Sequence, residues 1–162
     1  MSTRTPAIIN SINPEVSNLA TPINSLGLTK AFISNLPAYR VGLAPNRRGL
    51  EVGMAHGYLL LGPFTLLGPL RNTDSSHLAG LAATVGLVVI LSACLALYAN
   101  VQSAPPLASV AVPQQSKDLR GQKGWSEFNS GFLIGGVGGA AFGYVLLTNV
   151  PFLSSFTGNF FG

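Results

Sequence analysis

Glu51 and His56 are the side chains of this sequence hardest to explain by packing alone. Both fall in an apolar run that opens after Arg47-Arg48, where an ionised carboxylate costs about 3 kcal/mol unless it is paired. Two roles are open to Glu51. It can form an ion pair with Arg47 or Arg48, four and three residues earlier on the same helix face, or it can give a carboxylate oxygen to a metal. His56 is equally open: a neutral imidazole nitrogen is a common ligand for the magnesium or iron of a tetrapyrrole, but a serine or backbone carbonyl on a neighbouring helix would also satisfy it. At about 100° per residue, the two side chains project about 140° apart, so they face different neighbours rather than one shared ion. Gly53 and Gly57 lie within about 100° of His56, which leaves room beside it for a macrocycle.

Other chemistry finds little support. His77 follows Asp74, Ser75 and Ser76 at the entrance to an apolar run, a grouping that reads as a helix cap and not as a triad. Cys94 is the only cysteine, which excludes an intrachain disulfide or a CxxC motif, and its apolar surroundings read as those of a buried, inert thiol. There is no phosphate-cradling GxxxxGK[ST], no HExxH and no dinucleotide-binding glycine loop. The chain reads as non-catalytic.

The elements that must hold Glu51 and His56 are written in the composition. Of 162 residues 48% are hydrophobic and 9% charged, with a mean hydropathy of +0.44, where soluble domains carry about 25% charged residues. No Asp, Glu, Lys or Arg falls between Asp74 and Lys117 or after Glu127. The net charge of +4 does not indicate nucleic acid, because the basic residues flank apolar runs instead of clustering on a solvated face. The pattern predicts an all-α integral membrane protein with three transmembrane helices, a short N-terminal surface helix and extended termini.

Residues 1–45 form an N-terminal segment. Its first 24 residues, with Pro6, Pro14 and Pro22, read as an extended lead-in, and Ser25 can cap a surface helix carrying Leu28, Phe32 and Leu36 up to Pro37. Tyr39 and Arg40 would then sit at headgroup level. Residues 46–150 hold the spans, at about 48–70, 78–100 and 130–149, each near the roughly 20 residues needed to cross hydrocarbon. Gly62-Pro63 should kink the first span and Gly68-Pro69 end it. The linker 101–128 ends in Trp125 and Phe128, read as interfacial anchors, and residues 151–162 make an aromatic tail. Lys30, Arg40, Arg47, Arg48, Lys117, Arg120 and Lys123 fall on one side against Arg71 on the other, which places the N-terminus on the cytoplasmic or stromal side and the C-terminus opposite. Gly131, Gly135, Gly139 and Gly143 in the third span, and Gly49, Gly53 and Gly57 in the first, form stripes suited to close helix packing or to a flat ring.

The run Arg48-Gly49-Leu50-Glu51-Val52-Gly53-Met54-Ala55-His56-Gly57-Tyr58 resembles subunit XI of the photosystem I reaction centre. Supporting matches are Thr21-Pro22-Ile23, Phe32 to Arg40, Gly68-Pro69-Leu70-Arg71 and Gly124-Trp125, so the resemblance covers residues from about 21 to about 149. It implies a thylakoid subunit, cyanobacterial or plastid-encoded, with a lumenal C-terminus. The partners implied are other photosystem I subunits, membrane lipid and neighbouring copies of subunit XI at the contact between monomers. The cofactors implied are chlorophyll and carotenoid, with lipid allowed, and Glu51 and His56 take the family's places as axial ligands to chlorophyll magnesium.

Two departures bear on assembly. Where the commoner pattern has an Asp implicated in a calcium site between monomers, this chain has Asn72, a weaker ligand for a hard cation, which argues against calcium. The Ala104-Pro105-Pro106 linker is longer than in many trimer-forming members and resembles forms linked to dimers or tetramers. The competing readings are a pigment-free membrane scaffold and a small transporter or channel subunit.

Overall fold

The computed structural model describes residues 21–101, 117–150 and 152. Two short helices, α1 (Pro22–Ser25) and α2 (Gly27–Asn35), lead into three long ones, α3 (Pro45–Leu67), α4 (Ser76–Val101) and α5 (Gln122–Asn149), the last preceded by a 3₁₀ turn at Lys117–Leu119. At about 1.5 Å per residue the long helices measure about 35, 39 and 42 Å, against a hydrocarbon core of about 30 Å. All three are long and apolar enough to cross a membrane.

The N-terminal region departs from expectation. Ser25 does not cap the surface helix. Thr21 caps the single turn α1 instead: its hydroxyl accepts from the Asn24 backbone N–H at 3.2 Å, and the Asn24 side chain returns the bond at 2.7 Å. Helix α2 then starts from Leu26 without a side-chain cap. Leu28 and Phe32 are exposed on α2, as an apolar stripe facing lipid would be. The lead-in through residue 20 and the aromatic tail, Phe152 excepted, lie outside the described residues.

Helix α3 opens on Pro45, where the missing N–H costs nothing, and closes at Leu67 before Gly68-Pro69. Pro63 does not end it, and the helix carries the proline for another turn. Proline is tolerated inside apolar spans because neighbouring helices and local adjustment satisfy the freed carbonyl. Helix α5 begins eight residues earlier than the span expected from about 130. Gly121 turns the chain into it with φ +92°, a conformation glycine adopts without strain. Trp125 and Phe128 therefore stand on the helix and not in a linker, and they point inward: Trp125 packs edge-on against Tyr98 of α4 (4.8 Å between centroids) and Phe128 (5.3 Å). Phe128 is buried with Phe132, Val88 and Leu119 in the apolar core. These aromatics join α4 and α5.

Glycine determines how α3 and α5 meet. A Cβ placed on Gly49, Gly53 or Gly57 would overlap the carbonyl oxygens of Phe128, Phe132 and Gly136 respectively, and one on Gly131, Gly135 or Gly139 would overlap those of Asn46, Leu50 and Met54. Both series ascend together, so α3 and α5 run parallel with backbone against backbone. Helix α4 runs antiparallel to both: its Gly80 meets Thr65, Val88 meets Gly136, and Ser92 bonds to Asn129. The stripes therefore serve helix packing. Gly53 and Gly57 are filled by α5, so the room expected on their side of His56 is taken, while the ring of His56 itself stays exposed on the flank of α3.

Candidate functional site

The Glu51 side chain keeps 26% of its surface, and both oxygens face arginine. Arg40 Nη2 donates to Oε2 at 2.5 Å, and Arg47 Nε stands 3.5 Å from Oε1. Of the two expected partners, Arg47 takes part weakly and Arg48 not at all. The stronger partner is Arg40, which lies in the loop between α2 and α3 and not on the helix.

Arg48 turns the other way and is 1% exposed. Its guanidinium donates to three backbone carbonyls of that loop, Pro37 at 2.6 Å, Arg40 at 2.9 Å and Leu43 at 3.0 Å. Loop carbonyls lack helical partners, and arginine's planar fork can reach several at once. Gly42, at φ +77°, lets the chain turn tightly enough to present them. Neither role was legible from spacing along α3. A signal existed in the segment Leu36 to Ala44, whose Pro37 and Gly42 leave carbonyls that something must satisfy.

His56 stands about two turns below Arg48 on the flank of α3, exposed along the chain's side. Its Nδ1 lies 2.8 Å from the carbonyl of Val52, one turn earlier. A carbonyl only accepts, so Nδ1 carries a proton, and in the neutral ring the free lone pair is on Nε2. Among the described residues nothing bonds to Nε2. The ring meets Phe132 of α5 edge-on at 5.5 Å. Glu51 and His56 thus face different surroundings, as their spacing requires.

Among the described residues no three His, Cys, Asp or Glu side chains gather into a metal site. Asn72 lies exposed in the turn between α3 and α4. Cys94 is exposed on the outer side of α4, not buried as expected, because α4 shows only its Gly80, Thr84, Val88 and Ser92 side to its neighbours.

The family model of photosystem I reaction centre subunit XI matches residues 8–152. Similar relatives are the photosystem I reaction center subunit XI proteins of Synechococcus elongatus (58% identical over 86% of this chain and 85% of the relative), of a second Synechococcus (56%, over 86% of each) and of Mastigocladus laminosus (51%, over 90% and 84%). With three apolar helices of spanning length, a family model matched over residues 8–152 and relatives 51% to 58% identical over most of the chain, the chain belongs to the photosystem I reaction centre subunit XI family and is a non-catalytic, membrane-spanning subunit of that thylakoid complex.

Proposed function

We propose that this subunit binds antenna chlorophyll through His56 and Glu51, carries carotenoid on its apolar flanks, and mediates contacts between photosystem I monomers. The observation that carries the reading is the His56 imidazole: exposed on a membrane-spanning helix, fixed in one tautomer by the Val52 carbonyl, with Nε2 open on the side away from that bond. A histidine whose second nitrogen donates to a carbonyl is oriented and made more basic as a ligand. A polar nitrogen facing lipid without a partner costs free energy, and a ligand from outside the chain removes that cost. The donor set also fits. Single nitrogen or oxygen donors do not hold a bare ion, but His56 and Glu51 would suit a magnesium already held by a macrocycle.

Chlorophyll, when bound, supplies light absorption and excitation transfer. The chain's own residues fix distance and orientation: His56 by its hydrogen-bonded ring, Glu51 by its arginine pair. Replacing His56 with Leu is expected to remove one chlorophyll per complex, counted by solvent extraction and chromatography, while charge separation in the core is kept. An unchanged count would defeat the reading. Glu51 has a specific rival account, because its ion pair with Arg40 is what a pigment-free scaffold would also need.

Placement of the N-terminus on the stromal side rests on the basic residues gathered at the shared start of α3 and α5. The contact role rests on the family and on the broad apolar flanks that the three helices leave outward. Photosystem I purified from cells lacking this chain should sediment as monomers, and oligomers persisting without it would refute the contact role.

A further inference from the structure

We propose that Arg48 and Arg40 are positioning residues for the Glu51 ligand site, and that they select which carboxylate oxygen takes the magnesium: Oε2 is reserved for Arg40, and Oε1 is the ligating atom. This rests on the pigment reading of Glu51.

The geometry forms a closed circuit. Arg48 Nη2 holds the Arg40 carbonyl at 2.9 Å, and Arg40 Nη2 returns to Glu51 Oε2, three residues further along α3. Arg48 also grips the loop on both sides of Arg40, at Pro37 and Leu43, so the Arg40 backbone cannot move without breaking bonds of a buried guanidinium. The two oxygens of Glu51 are not equivalent. Oε2 is in direct contact with Arg40, whereas Oε1 meets only Arg47 Nε at 3.5 Å, beyond ordinary hydrogen-bond length, from a side chain that is 73% exposed.

An axial ligand needs one oxygen. A carboxylate left with a second bare oxygen in a low-dielectric span would still require a countercharge, and Arg40 supplies it, so the pair is neutral as a unit. Arg40 also stops the carboxylate rotating, and a planar ring held at one oxygen keeps one orientation. Arg48 acts only through the loop and touches no pigment.

The test uses photosystem I purified from cells carrying Glu51→Leu, Arg40→Gln, Arg40→Lys or Arg48→Lys. The readouts are the amount of the subunit in the complex, chlorophylls per complex, and the low-temperature absorption difference spectrum. Glu51→Leu should remove one chlorophyll and one absorption component. Arg40→Gln should weaken retention of that same component about 10-fold, the effect expected when the partner of a ligating group is lost, with the subunit present in normal amount. Arg40→Lys, which keeps the charge, should restore it with a shifted band, and Arg48→Lys should shift the same band and leave the component lost in His56→Leu untouched. If Glu51→Leu removes a pigment but Arg40→Gln leaves count and spectrum as in the wild type, the positioning role is wrong. If Glu51→Leu removes none, the pigment reading at Glu51 fails first and the positioning role falls with it.

Discussion

Gly53→Val is expected to remove this subunit from photosystem I. A Cβ on Gly53 falls on the carbonyl oxygen of Phe132 and against the backbone nitrogen of Gly136, and neither is the end of a side chain that can swing aside. Overpacking a well-filled core costs about 1–3 kcal/mol when side chains can adjust. Here only separation of α3 from α5 relieves the overlap, and separation also breaks the neighbouring approaches at Gly49, Gly57, Gly131, Gly135 and Gly139. The loss should exceed about 3 kcal/mol, a large share of the stability of a domain of this size. Immunoblotting of purified complexes should find little or no subunit. Gly138, on the open side of α5, meets nothing within 4 Å, so Gly138→Ala should assemble as the wild type does. Normal assembly of Gly53→Val would mean that the two backbones do not approach as described.

Arg48→Met should produce the second large effect, by a different route. Methionine keeps much of the apolar stem but removes all donors, leaving the carbonyls of Pro37, Arg40 and Leu43 without their partner. Each partly buried acceptor so abandoned costs about 1 kcal/mol, the lower end of the range for buried groups, or about 3 kcal/mol for the three. The expected outcome is a lower midpoint for thermal release of the subunit from the detergent-solubilised complex, together with protease cleavage between residues 37 and 43. A midpoint and cleavage pattern like those of the wild type would show that the loop holds itself.

Much of this architecture was legible from residue type. The three spans follow from long charge-free runs, and the α3 boundaries from Pro45 and Gly68-Pro69, because desolvation and the missing proline donor act locally. The close α3–α5 approach was legible as a periodicity of glycine every four residues. Its other consequence was not: the same period admits a flat face for a ring, and only the register of the two helices shows that Gly53 and Gly57 are filled by backbone. The start of α5 was misplaced because Lys123, Glu127, Trp125 and Phe128 look interfacial by composition, although helical spacing turns the two aromatics toward α4.

At the site, His56 and Glu51 were identifiable because polar atoms are expensive in lipid. Their partners were identifiable only where they lay one turn away. Arg47 is such a neighbour and was expected; for His56 the carbonyl was expected on a neighbouring helix, and Val52 O of its own helix takes that place; Arg40 lies off the helix, its approach depending on a loop path fixed by Arg48. Residues that act across a loop leave no periodic trace.

The tightest seam among the described residues joins α3 and α5, with α4 and a long connection between them in the chain. During synthesis the glycine edge of α3 must therefore wait, already in the bilayer and unmatched, until the ribosome has delivered the final span. Helix α5 cannot be dispensed with if that edge is to be closed, and the interval before closure is when a nascent chain of this kind is most open to capture by the wrong neighbour.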